Sequence, residues 1–164
     1  FFRSFATTKT RLLVVGRTTD TNIAALCTEY IKRTNHYIPF EVEVVPELKN
    51  TKSLTPEQQK EREAELIQKS LQTGDYVVLL DEHGKEYKST EFASWMEKRT
   101  AAGHRRIVFI IGGPYGFAPS IHTLASEELS LSKMTFSHQM IRLLFIEQVY
   151  RAMTILRGEP YHHE

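Results

Sequence analysis

One cysteine, Cys27, stands among 164 residues. An intramolecular disulfide and a thiolate metal cluster are both excluded, and such sparing use of cysteine fits a reducing compartment, with Cys27 expected in the core. Long apolar runs are lacking too. Nothing approaches the roughly 18 consecutive apolar residues of a membrane-spanning helix, so a soluble chain with no membrane partner is expected. There is no excess of charge of one sign: 21 Lys and Arg stand against 20 Asp and Glu, a formal charge of +1. Bulk electrostatics therefore do not mark a nucleic-acid binder, and any RNA contact has to come from a local patch. The histidines contain no HExxH, the pair His162 and His163 has no spaced partner, and Cys27 has no neighbouring base, so no metal is expected. Internal repeats and low-complexity linkers are missing as well, and 164 residues suit one ordinary domain.

The opening "FFRSFATTKT" has no acidic residue and is rich in Arg, Ser, Thr and Phe. It reads as an extension, a misread start or the remnant of an organelle transit peptide. Residues 1–10 are accordingly set outside the fold and 11–164 taken as a single domain.

What the chain does contain is an alternation of strand-like and helix-like blocks. "RLLVVG" (11–16) reads as a buried strand, and 20–34 carries Ile23, Leu26, Tyr30 and Ile31 at helical spacing behind Asp20 as N-cap. "FEVEVV" (40–45) alternates apolar residues with Glu41 and Glu43, the pattern of a sheet edge with one wet face. Thr55, Pro56 and Gln58 open a polar helix running to about Gln72. "DYVVLL" (75–80) and "RIVFII" (106–111) are further strands, separated by a helix over 90–102 that Gly103 terminates. A short helix is expected over 119–128, a fifth strand within "LSLSKMTF" (129–136), and a long final helix over 138–158. The whole predicts an α/β fold, a mostly parallel sheet with helices on both faces. The last helix carries more apolar surface than one stripe requires, which favours a subunit interface over a purely internal core helix.

In an open parallel sheet, ligands sit beyond the carboxyl ends of the strands, here "LLDEHGK", "IIGGPYG" and "LSKMTFSH". "FIIGGPYG" (109–116) holds three of the eight glycines. Either the loop is a tight turn, or something presses against its backbone. A dinucleotide fingerprint fits poorly, because the loop follows the fourth strand and spends one position on Pro114. Read this way, the residues reach an α/β domain with a small-ligand site on three loops, and do not name the ligand.

"LLDEHGKEYKSTEFA", "FIIGGPYG" and "LSLSKMTFSHQMIRLLFIEQVYRAMTILRGEPYHHE" closely resemble, in order and spacing, the ribosomal RNA large subunit methyltransferase H family, also called YbeA or OrfX. The resemblance covers residues 11–164. It implies a SPOUT-class methyltransferase with a deep C-terminal trefoil knot, S-adenosylmethionine as cofactor, a homodimer, and methylation of N3 of a pseudouridine in 23S-type rRNA within the large subunit or ribosome. Leu80, Gly112, Leu131, Ser132, Lys133, Met134, Thr135 and Phe136 would line the cofactor pocket by motif. Ser137 stands where many relatives have proline.

Methyl transfer to an imide nitrogen needs the acceptor held in line and its proton removed. His138, Arg142, Tyr161, His162 and His163 are the candidates. His138 reads equally as a helix-terminal structural group, and the tail as a disordered end. Arg105, Arg106, Lys133, Arg142, Arg151 and Arg157 are candidates for a phosphate patch. A cytoplasmic enzyme is expected, organellar if the opening residues are a transit remnant. The rivals are a noncatalytic knotted protein that binds S-adenosylmethionine or RNA, and a nucleotide-binding module.

Overall fold

The computed structural model describes residues 8–163. Along the chain run β1 (Lys9–Val15), α1 (Thr21–Thr34), β2 (Phe40–Val45), a short 3-10 turn (Thr51–Ser53), α2 (Pro56–Ser70), β3 (Tyr76–Glu86), α3 (Ser89–Ala101), β4 (Arg106–Ile111), α4 (Pro119–Leu124), β5 (Glu127–Ser130) and α5 (His138–Leu156). The five strands pair in parallel in the order β2-β1-β4-β3-β5. The connections β1 to β2 and β3 to β4 step one way along the sheet, while β2 to β3 and β4 to β5 step the other. Right-handed crossovers then put α1 and α3 on one face and α2 and α4 on the other.

The core follows from that division, because a strand covered on both faces must be apolar at successive positions. Leu12, Val14, Ile107, Phe109 and Ile111 point into a cluster with Cys27, Phe92, Trp95, Phe145 and Val149. Their neighbours Leu13, Val108 and Ile110 point the opposite way, against Ala64, Ile67, Phe117 and Ile121. β4 is buried at every position. Helix α5 lies on the first face between α1 and α3, where the Phe109 and Phe145 rings meet at 4.7 Å. Much of its apolar surplus is therefore consumed within the chain.

Local signals form as the residues dictate. Asp20 accepts from the N–H groups of Asn22 and Ile23 at 3.0 Å, Thr55 and Gln58 close a reciprocal capping box, and Gly103 ends α3 at φ +82°. β2 is an edge strand, its two glutamates paired with Arg11.

Several details differ from the sequence expectation, among them the short helix expected over 119–128, which ends at Leu124 because β5 already begins at Glu127. β1 starts at Lys9, with Thr8 and Thr10 buried, so residues 8–10 of the presumed extension are part of the fold, and 1–7 lie outside the described residues. Alternation in β2 breaks at its end, where Val44 is exposed and Val45 buried. "DEHGKE" is not a loop but the second half of β3, which re-pairs with β5 after a register shift between Leu80 and Lys85. Gly84 permits this: a Cβ there would sit 2.5 Å from the Leu129 backbone nitrogen. The fifth strand consequently ends at Ser130, and 131–136 is the loop entering α5.

Candidate functional site

The middle of β3, where its pairing with β5 shifts register, and the carboxyl ends of β4 and β5 surround a cavity of about 320 Å³. Leu80 from β3, Gly112 from the glycine loop, and Leu131, Ser132, Met134, Thr135 and Phe136 from the loop after β5 all face it, with His138 alongside. Of the motif residues expected around such a pocket, Lys133 is not part of the lining. Its side chain is 88 % exposed, 4.0 Å from Glu86.

The glycine loop turns sharply: the Gly116 N–H donates to the Gly113 carbonyl at 3.1 Å, and Gly116 has φ +81°. At Gly112 a Cβ would come within 3.1 Å of the Phe117 ring, so the missing side chain leaves cavity space. The loop after β5 is held by its serines. Ser130 Oγ donates to the Ser132 carbonyl at 2.9 Å, and Ser132 Oγ accepts from Met134 N–H at 3.0 Å. Ser137 then caps α5, accepting from Met140 N–H at 3.1 Å, a bond that a proline side chain does not make. Sequence reasoning missed Asp81, Glu82, Ser130 and Phe117, which also line the cavity; the acid pair directly after Leu80 was the available signal.

A second cavity of about 310 Å³ lies behind the same loop and shares Gly113, Pro114 and His138 with the first. Its walls include Val15, Glu47, Gln59, Glu63 and Arg142. Arg142 is 4 % exposed and donates to the Val15 carbonyl (2.7 Å), the Gly16 carbonyl (2.9 Å) and Thr18 Oγ1 (3.0 Å). It ties α5 to the end of β1 and lies outside the first cavity; burial lowers its pKa.

The tail is ordered against its own chain. Tyr161 packs edge-on to Tyr150 at 4.8 Å, under the Arg151 guanidinium, with its hydroxyl 3.3 Å from that of Tyr30. Tyr150 lies twelve residues beyond His138 on α5, about 18 Å along the axis. The tail is thus held away from the cavity of its own chain. Burial first, then the Tyr30 hydrogen bond, push the Tyr161 phenol up, so it stays protonated, and either hydroxyl of the Tyr30–Tyr161 contact can donate. His162 Nδ1 sits 3.1 Å from Arg151 Nη1, which can only donate, so Nδ1 accepts and the free proton belongs on Nε2, buried with no partner among the described residues. His163 is exposed.

Of the phosphate-patch candidates, Arg105, Lys133 and Arg157 are exposed and the other three are engaged within the chain. Arg106 is buried in a two-bond pair with Asp75, Arg142 is buried, and Arg151 is paired with Glu147. Arg17 and Lys49 instead line a broad surface hollow beside the end of β1 and are exposed. Asp81, His122 and Glu128 bring ligand atoms within 4.8 Å of one another, and His122 Nδ1 and Glu128 Oε2 already partner each other at 3.0 Å. No helix among the described residues is long and apolar enough to cross a membrane.

Comparisons with known proteins agree in one direction. A family model described as "Predicted SPOUT methyltransferase" matches residues 8–162. A Bacteroides fragilis protein named "Ribosomal RNA large subunit methyltransferase H" is 65 % identical over 156 residues, 95 % of this chain and 99 % of that one. Proteins of the same name from Phocaeicola vulgatus and Christiangramia forsetii are 63 % and 51 % identical, over 95 % and 93 % of this chain and 99 % and 98 % of theirs. Among solved structures, a probable methyltransferase from Bordetella pertussis Tohama I superposes with a TM-score of 0.56 at 11 % identity, over 93 % of this chain and 99 % of that one, a likeness of fold.

Proposed function

This chain belongs to the SPOUT methyltransferase family, and from that premise we propose that it methylates N3 of a pseudouridine in large-subunit ribosomal RNA, using S-adenosylmethionine and acting as a homodimer. The observation that carries the reading is the convergence of Leu80, Gly112 and the 131–136 loop on one cavity with His138 beside it. The knotted threading of these loops is part of the same reading, as is residence in the cytoplasm, where a ribosomal substrate is found.

The cavity fits the cofactor. Its volume of about 320 Å³ falls within the range of roughly 300–1,000 Å³ of small-ligand sites, and Gly112 leaves open the space a side chain would fill beside Phe117. When bound, S-adenosylmethionine supplies an electrophilic methyl group on sulfur. The chain's own residues then have two tasks. The rigid loops hold the acceptor in line, an orientation effect of several kcal/mol, about 7–11 at most. His138, at the first position of α5 and beside both cavities, takes the imide proton, while the amino end of that helix stabilises the developing anion. Arg142 acts through position, fixing α5 to β1.

Dimerisation completes the site in this reading. Met134, Phe136 and Met140 expose apolar surface, at 76 %, 38 % and 40 %, beside the cavity, and a partner covering that surface brings a second tail near it. Tyr161, His162 and His163 then stand beside the partner's cavity, while Arg17 and Lys49 supply phosphate contacts.

Ligand competition tests the cofactor assignment. S-adenosylhomocysteine should raise the melting temperature in proportion to its occupancy, and NAD and ATP should not. Protection by ATP or NAD alone would return the chain to the nucleotide-binding reading. Light scattering should give twice the chain mass at micromolar concentration, and a monomeric mass in an active preparation would defeat the composite site.

A further inference from the structure

Helix α2 is polar along most of its length, yet Glu63 on it is only 6 % exposed. It lies directly beneath the glycine loop. A Cβ added at Gly113 would stand 2.5 Å from both carboxylate oxygens, so the carboxyl group occupies the space below that residue. The Gly113 backbone N–H and the Gln59 side chain act on this carboxyl from close by, each drawing its pKa down against the larger rise from burial. Gly113 in turn belongs to the walls of both cavities. α2 thus sends one buried acceptor against the underside of the loop whose upper side faces the first cavity.

We propose that Glu63 is a positioning residue for cofactor binding: its carboxyl oxygen, by accepting the Gly113 N–H, fixes the glycine loop in the shape that receives S-adenosylmethionine. The inference rests on the cofactor assignment proposed above and extends it to a residue outside the three loops. A loop with two glycines in succession before Pro114 has many backbone states open to it. A rigid acceptor that binds one N–H selects among them before the cofactor arrives, and preorganisation of that kind is read as affinity.

A buried carboxylate is also costly to ionise, which separates positioning from mere packing. Burial first raises the Glu63 pKa, Glu47 adds to the rise, and the bonds from Gln59 and Gly113 offset only part of it. With the folded value raised, the contribution of Glu63 to stability is full below its ordinary value of 4.5 and is lost as pH rises through the folded value. The other charged or titratable groups around the cavity it faces are Glu47 from the β2–α2 connection and His138 and Arg142 from α5.

Two near-isosteric variants test the proposal by calorimetry with S-adenosylhomocysteine. Glu63→Gln keeps an oxygen acceptor for Gly113 and removes the charge, whereas Glu63→Met keeps the bulk and removes the acceptor. Glu63→Met should bind about tenfold more weakly, the effect of about one lost hydrogen bond, and Glu63→Gln within about threefold of the parent. Both should melt higher than the parent at pH 8 and lose that advantage at pH 5, a signature that loss of packing does not produce. Equal weakening in both variants, or unchanged affinity in Glu63→Met, would overturn the proposal. Failure of the parent itself to bind S-adenosylhomocysteine would instead sink the cofactor assignment on which it rests.

Discussion

Replacing Gly112 by valine places a branched side chain where the loop now has none. The Cβ alone would lie 3.1 Å from one Phe117 ring carbon and 3.3 Å from two more, closer than ordinary contact. Phe117 is 7 % exposed and set in the core with Val108, Ile110 and Ile121, so its ring cannot withdraw inward without displacing them. Phe117 also lines the cavity, so a shift of its ring toward that side, together with the two γ-methyl groups, takes up cavity space. Overpacking of this kind costs about 1–3 kcal/mol, which at about 1.4 kcal/mol per decade is a loss of roughly 5- to 150-fold in affinity if the strain is relieved into the empty cavity. Calorimetry with S-adenosylhomocysteine, on protein whose circular dichroism and melting temperature match the parent, measures it. Unchanged affinity in a folded Gly112→Val protein would remove the glycine loop from the site and refute the reasoning.

Three further outcomes follow from other parts of the molecule. Asp75→Ala leaves Arg106 buried without its two-bond partner, held now at 2.9 and 2.8 Å, and should lower stability by about 3–5 kcal/mol in denaturant titration; a loss below about 1 kcal/mol would show the pair to be idle. Burial raises the Glu127 pKa, but bonds from Arg99, Tyr76 and Trp95 outweigh it and hold the carboxyl below its ordinary value of 4.5. Its stabilisation is therefore present above that value and lost as pH falls through the lowered one, so Glu127→Gln should be less stable than the parent at pH 7 and equal to it near pH 2. An equal deficit at both pH values would contradict this. Removing residues 161–164 should slow single-turnover transfer by about 10²- to 10⁴-fold with dimerisation intact, and a rate within about threefold of the parent would return the tail to a packing role.

The layered fold was legible because its strands are apolar at consecutive positions while its helices carry explicit caps at Asp20, Thr55 and Gly103. The site was legible where a chemical oddity marks the chain: three glycines in eight residues, and the "SLSKMTF" loop. Other features depend on long-range placement that local pattern does not encode. Nothing in "DEHGKE" announces that Gly84 admits the β5 backbone and so extends β3. Glu63 is one glutamate among several on a polar helix, and only the docking of α2 under the glycine loop sets it apart. Arg106 and Arg142 look like surface cations in sequence, but a carboxylate at Asp75 and the carbonyls ending β1 draw them inside. The tail reads as aromatic and basic, yet its direction is set by the ring of Tyr150, which holds it on the far part of α5.

Transfer of labelled methyl from S-adenosylmethionine to intact ribosomes, isolated large subunits and naked ribosomal RNA, followed by mapping of the modified nucleotide, tests the central claim most directly. The account predicts label in large-subunit RNA at N3 of a pseudouridine, and its loss when Gly112 is replaced by valine. Tight binding of S-adenosylhomocysteine with no label in any RNA would contradict it and leave a noncatalytic cofactor-binding protein.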